Sequence, residues 1–364
     1  MNVHRIFAIL AVIFCKIIGV IFATEIFARF TPLVDSQLYL QGAVPSVRDL
    51  RTLVPNEFGS FLNEAGGPFF AHTMFALFSV IGLIYYISTN RSDLRIVLCL
   101  MLPSSMVWTS IVGKEAIFSG VFVMLTVLWA KSIRDNLHIF DWFLVIMSFS
   151  ICWVFRPHYT LCMFWIFFSL YAIKSVRFNS KWCILGGFFV YLGAIKILVW
   201  EKLILHAFRA IDHTARASRH EQLGFDLSWD FRLIPGNFEL FLDLLPTGFI
   251  FGIVGPFPKE LLDRHLLIPF FLEGLLILIV PFAIFLWGAL IPSKKNERHF
   301  FITIFLLCVF PAIIIAALMH SPFGILNPGS AIRWRTNFET LFYIAPLLLY
   351  LETVGFESQS KKRA

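Results

Sequence analysis

"PSSMVWTSIVGKEAIFSGVFVMLTVLWA", residues 103–130, decides the fold class. From Ala116 to Ala130 only Ser119, Thr126 and the Trp129 indole carry polar N or O atoms on their side chains. A helix of that length crosses most of a hydrocarbon core about 30 Å thick, at about 1.5 Å per residue. Two adjacent opposite charges, Lys114 and Glu115, stand directly before the run. A soluble core seldom accepts such a pair. A membrane protein accepts it at the bilayer surface, because the cost of about 2.5–3.5 kcal/mol or more applies to a charge at the bilayer centre.

Composition agrees. Of 364 residues, 58% are hydrophobic, 15% are charged and 43 are Phe, with mean hydropathy +0.79. Soluble domains carry about 25% charged residues. The chain therefore reads as an integral membrane protein. Its net charge of +7 belongs to topology, not to nucleic-acid binding. Six cysteines lie in apolar segments with no CxxC pair, so free thiols are expected rather than a disulfide framework or zinc site. The opening "MNVHRIFAILAVIFCKIIGVIFATE" exceeds a signal-peptide h-region of about 7–15 residues and lacks a small-x-small cleavage site, so it is expected to be a retained first span.

Ten segments read as spanning helices: roughly 6–28, 68–88, 96–112, 115–130, 139–155, 159–174, 182–200, 266–290, 299–319 and 338–353. The expectation is an all-α integral membrane protein, one polytopic domain over residues 1–364 without internal repeats. The basic stretches "RSDLR" (91–95), "KSIRDN" (131–136), "KSVRFNSK" (174–181), "SKKNERH" (293–299) and the terminal "KKRA" then share one side. Short Lys/Arg-rich loops stay cytoplasmic, which puts both termini there. The other side is expected to carry two large outer loops, about 29–67 and 201–265, and most of the acids: a chemically rich outer face over a simple inner one.

Three outer turns present cations. Lys114 precedes Glu115 at the first. "FRPHYT" (155–160) puts Arg156 and His158 at the second, where Pro157 ends a helix. "NPGSAIRWRTNFET" (327–340) puts Arg333 and Arg335 at the third, on one side of the chain if that stretch is extended. Arg grips phosphate oxygens in bidentate fashion and Lys supplies a point charge, so the set suits a phosphate or diphosphate. Singly, each Arg is equally well a snorkelling anchor. "FTPLVDSQLYLQGA" (30–43) supplies an acid, Asp35, with Tyr39 four residues on and so on the same helical face. A carboxylate beside cations can take the proton of an attacking hydroxyl, and Glu115 is a second candidate for that role. Asp35 also suits the N-cap of a helix.

The large outer loop opens as a basic helix with Arg209, Arg216 and Arg219, expected at the lipid boundary. His213 and His220 share a face but lack carboxylates at metal-ligand spacing. "LPTGFIFGIVGPFPKELL" (245–262) is apolar with Gly and Pro breaks, suited to dip into the membrane or lie along it. Within the spans stand Lys16, Lys196 and Glu273. The last two lie near outer ends and can snorkel; Lys16, at mid-span, is a functional-site candidate with no evident partner.

The segments "VDSQLY" (34–39), "PSSMVWTSIVGKE" (103–115), "FRPH" (155–158), "GPFP" (255–258), "NPGSAIRWR" (327–335) and "YIAP" (343–346) resemble scattered motifs of the polytopic GT-C-type glycosyltransferases and of the related O-antigen and other bacterial surface-polysaccharide polymerases. The resemblance implies a transferase that takes a sugar or repeat unit from an undecaprenyl-linked (polyprenyl phosphate or diphosphate) donor to a glycan acceptor, at the outer face of the inner membrane. It implies Asp35 as catalytic base and Lys114, Arg156, Arg333 and Arg335 on the donor phosphates. No cofactor is implied; the first loop lacks the paired acids of many GT-C enzymes, which leaves use of a divalent metal open. The expected partners are the bilayer, the donor, the acceptor and other polysaccharide-assembly proteins, not nucleic acid. Two other classes compete. A flippase or transporter of lipid-linked sugars would spread charges along a central path. A membrane acyltransferase would use His158 or His320.

Overall fold

The computed structural model describes residues 3–31, 33–44, 49–90, 93–135, 137–175, 180–200, 248–250, 252–255, 261–262, 265–290, 294–326 and 328–353. Among these residues there are helices and no strand. The main helices are α1 (Val3–Ile21), α2 (Val34–Leu40), α3 (Leu50–Phe78), α4 (Ile81–Thr89), α5 (Arg95–Leu100), α6 (Pro103–Trp108), α7 (Lys114–Ser132), α8 (Ile139–Phe155), α9 (Pro157–Ser175), α10 (Ser180–Ile195), α11 (Ile268–Leu290), α12 (Lys295–Ile304), α13 (Phe310–Leu326), α14 (Pro328–Arg335) and α15 (Glu339–Thr353).

Among the described residues five helical stretches are long and apolar enough to cross a membrane: Val3–Arg29, Lys114–Ser132, Trp182–Val199, Ile268–Leu290 and Lys295–Ser321. The pair α3–α4, bent by 51°, makes a sixth if it counts as one span. Other expected spans fall short, α8 with 17 residues and α15 with 15. The expected span 96–112 is broken into α5 and α6, six residues each. Pro103 begins α6 and forces Leu102 into extended geometry, ψ 138°.

The expected loop 29–67 is largely helical. Asp49 caps α3 by accepting from the Arg51 N–H at 3.1 Å, and the helix then runs to a kink at Gly67, φ +82°, ahead of Pro68. The first half of α3 is polar enough to resemble a loop. Packing against α1, α2 and α7 is what holds it as a helix.

α7 is the central post. Every residue from Glu115 to Lys131 is buried, as expected of a helix apolar on all sides. α3, α4, α8, α9 and α15 surround it. α4 and the end of α3 approach through glycines: a Cβ on Gly120 would lie 2.5 Å from Phe78 O, and one on Gly82 2.7 Å from Met124 N. Elsewhere apolar side chains face outward, among them Phe14, Ile146, Val190 and Leu272, as on a membrane-embedded surface.

The other end of α7 corrects the expectation of charges gathered on one face. Lys131, about 24 Å from Glu115 by helical rise, pairs with Asp141 at 2.9 Å beside Tyr85. Arg134 pairs with Glu352 at 2.9 Å, and Tyr86 donates to the same carboxylate at 2.6 Å. Buried carboxylates need such cations inside the bundle. The six cysteines are unpaired, four of them buried, with Cys99 half-buried and Cys183 exposed.

The expected basic helix, with Arg209, Arg216, Arg219, His213 and His220, lies outside the described residues. Of the apolar stretch 245–262, Ile253 and Val254 are buried. Val254 packs so tightly on α11 that a Cβ at Gly274 would meet its carbonyl oxygen at 2.4 Å.

Candidate functional site

At the Glu115 end of α7 four elements meet. α2 brings Asp35 and Tyr39, α7 brings Lys114 and Glu115, the α8–α9 junction brings Arg156, and α14 brings Arg333. Arg333 is the hinge of the cluster. Its Nη1 donates to Asp35 Oδ2 at 2.6 Å and its Nη2 to Glu115 Oε2 at 2.9 Å. Arg156 Nη2 donates to the other Glu115 oxygen at 3.3 Å. The two carboxylates differ in access: the Glu115 side chain is 2% exposed and that of Asp35 52%.

Asp35 does not cap α2. Leu33 holds the N-cap position without a side-chain bond, and Asp35 lies in the first turn, turned toward Arg333. Tyr39 is buried one turn later, as the four-residue spacing implied. Burial, reinforced by Asp35 and Glu115, pushes its phenol above the ordinary value against the pull of Arg333 and Arg156, so it remains an O–H donor. Burial works against the Arg333 charge, but Glu115 and Asp35 outweigh it and raise the guanidinium above its usual value.

Aromatic faces support both cations. Arg333 lies 5.2 Å from the Trp108 ring centroid and Arg156 5.4 Å from that of Trp334. The Arg333 Nε–H and the Trp108 indole N–H are buried donors without an acceptor. Lys114 donates to Thr52 Oγ1 at 2.7 Å, on the first turn of α3, within the field of Arg156, Glu115, Arg51 and Asp35. Trp108, Trp334 and Thr52 were not singled out from sequence. A Trp beside a candidate Arg, as in "RWR", was the available signal.

Arg335 does not join this cluster. The stretch is helical rather than extended, so residues two apart diverge by about 200°. Arg335 is fully buried and donates to Ile253 O at 2.6 Å, Phe270 O at 2.9 Å and Glu273 Oε2 at 3.0 Å. Glu273, expected to snorkel, is 1% exposed and also accepts from Ser104 N–H at 3.0 Å and Ser104 O–H at 2.6 Å. His158 is buried, with its ring tilted against those of Tyr159 and Phe323. His320 has both ring nitrogens engaged, with Tyr159 Oη at 2.6 Å and Gly252 O at 3.1 Å.

The interior holds a second polar group. Lys16 donates to Thr109 Oγ1 at 2.5 Å, Ser105 Oγ at 3.3 Å and Ser105 O at 3.4 Å. It shares a cavity of about 20 Å³ with Ser119, Tyr343 and a buried acid, Glu339. Glu339 escaped notice in the sequence because it stands at the edge of an apolar segment, where a carboxylate usually meets water.

Chemically, the cluster around Arg333 offers an accessible carboxylate, a buried one that orients two guanidiniums, and an ammonium nearby. That set can hold an anion and accept a proton beside it. Among the described residues no group of three or more His, Cys, Asp or Glu could hold a metal ion. Compared with known proteins, the chain matches no family model, no curated protein and no solved structure.

Proposed function

We propose that this chain is a multi-pass membrane glycosyltransferase of surface-polysaccharide biosynthesis, with the Asp35–Arg333–Glu115–Arg156 cluster as its active site. The cluster faces the periplasm or cell exterior of a chain with about ten membrane crossings and cytoplasmic termini. One observation carries the reading: Arg333 joins an exposed acid to a buried acid, beside Arg156 and Lys114, at one end of an apolar bundle.

In the reaction, an acceptor hydroxyl attacks the anomeric carbon of a polyprenyl-phosphate- or diphosphate-linked sugar. The bond from that carbon to the phosphate oxygen breaks, and its electron pair leaves with the phosphate. The hydroxyl proton passes to Asp35. Lys114, Arg156 and Arg333 meet the growing negative charge of the leaving group. Glu115, buried between two guanidiniums, positions them. Repeat-unit polymerisation and addition of a single sugar both fit.

The interior charges around Lys16, Glu273, Glu339 and Arg335 favour one alternative, a flippase of lipid-linked sugars. A deletion strain complemented with wild type or Asp35→Asn separates the two. Surface glycan is run on gels and lipid-linked precursors are analysed by mass spectrometry. Under the transferase reading Asp35→Asn leaves precursors at the outer face and shortens or truncates the glycan. Precursors trapped at the inner face in the deletion strain, with Asp35→Asn silent, would establish the flippase instead.

A further inference from the structure

Among the described residues the buried carboxylates neutralise against cations with one exception. Asp141 has Lys131, Glu352 has Arg134, and Glu115 has Arg156 and Arg333. Glu273 receives Arg335 and both Ser104 donors on the single oxygen Oε2, and its Oε1 has no donor. Glu339, 6% exposed, carries a matching orphan, Oε2. The two carboxyls lie within hydrogen-bonding reach of one another.

Among the described residues no donor makes a hydrogen bond to either orphan oxygen. Lys16, from α1, donates to Ser105 and Thr109. Arg335, from α14, directs Nη1 and Nη2 at Ile253 O, Phe270 O, Ser104 Oγ and Glu273 Oε2, and its buried Nε–H bonds to neither carboxyl. Tyr343, on α15, gives its O–H to the Glu273 backbone carbonyl at 3.3 Å. Cys99, on α5, turns its thiol to Arg95 O. Two ionised carboxylates in contact repel strongly in a low-dielectric interior. An unsatisfied buried acceptor also loses its hydration without a replacement. A hydrogen between the two oxygens removes both penalties.

We propose that Glu273 and Glu339 form a proton-binding site, a carboxyl–carboxylate pair holding one proton inside the bundle. The cavity of about 20 Å³ beside Glu339 is large enough for one water, a partner with which the proton can exchange. Because Arg335 closes the pair and stands two residues from Arg333, the proton is tied to the seating of α14. The inference rests on the interior geometry alone and not on the transferase reading.

The test is infrared spectroscopy of the full-length protein in lipid nanodiscs at pH 7, in H₂O and D₂O. The expected result is a protonated-carboxyl C=O band that shifts on deuteration and is lost in Glu339→Gln. That variant should unfold at the wild-type temperature, since its amide N–H takes the place of the shared proton. Glu273→Gln should shift or remove the same band, which keeps the test open if Glu339→Gln does not fold. Absence of the band from wild type at pH 7, or a band unchanged in both variants, overturns the proposal.

Discussion

Arg333 reaches Asp35 at 2.6 Å although 298 positions separate them in the chain. The contact ties α14, close to the C-terminal helix, to the short α2 that follows the first span. It also fixes the accessible carboxylate beside the guanidinium that Glu115 holds from beneath.

Under the proposed transferase function, Asp35→Asn should reduce sugar transfer by about 10²- to 10⁴-fold, the usual contribution of a positioned general base. Its side chain is 52% exposed, and an ion pair open to water contributes only about 0–1 kcal/mol, so thermal unfolding should change little. A transfer assay on purified protein, run beside an unfolding curve, checks both halves. Full activity in Asp35→Asn removes Asp35 from the chemistry.

Glu115→Ala should behave differently. It leaves Arg156 and Arg333 without their buried acid, at a cost of about 3–5 kcal/mol. The protein should express poorly or unfold well below wild type in detergent. An unaltered unfolding temperature would mean that the arginines are held by their aromatic and Asp35 contacts instead.

At the opposite end of α7, Lys131→Met should destabilise by a similar about 3–5 kcal/mol through the stranded Asp141. The double variant Lys131→Met/Asp141→Leu should recover most of this. It should stop short by about 1 kcal/mol, because Asp141 also accepts from the His138 N–H at 2.9 Å and caps α8. Unfolding curves of the two variants give the comparison.

Gly120→Ala places a methyl 2.5 Å from Phe78 O and should cost about 1–3 kcal/mol by overpacking. Gly187→Ala, where nothing lies within 4 Å of the added carbon, is the matched control and should not lower stability. Equal behaviour of the two variants would contradict the close approach of α7 to the α3–α4 bend.

The apolar runs were the legible part. α1, α7, α10, α11 and the stretch through α12 and α13 coincide with segments chosen by hydrophobicity alone, because a lipid-facing or buried helix must be apolar over about 20 residues. Hydrophobicity is silent on backbone breaks, so 96–112 looked continuous although Pro103 stood inside it. It also hides helices made stable by packing, such as the polar half of α3. At the site, Asp35, Lys114, Glu115, Arg156 and Arg333 were visible as charges at the ends of apolar runs. Arg335 was misjudged because its direction depends on whether residues 328–335 are helical or extended. Glu273 and Glu339 were not recognised as a pair because 66 positions of sequence separate two residues that only the packing of α11 against α15 brings together.

The early end of α6, at Trp108, changes what Lys16 is for. The last carbonyls of a helix have no partner in its own turns, and neighbouring groups must complete them. Lys16 gives hydrogen to the Ser105 carbonyl and to the hydroxyls around it, so α1 acts as a splint for α6. An apolar anchor of equal length exchanged for residues 3–29 would still hold the chain in the bilayer. It would leave the Ser105–Thr109 turn, and the Trp108 face beneath Arg333, without that splint.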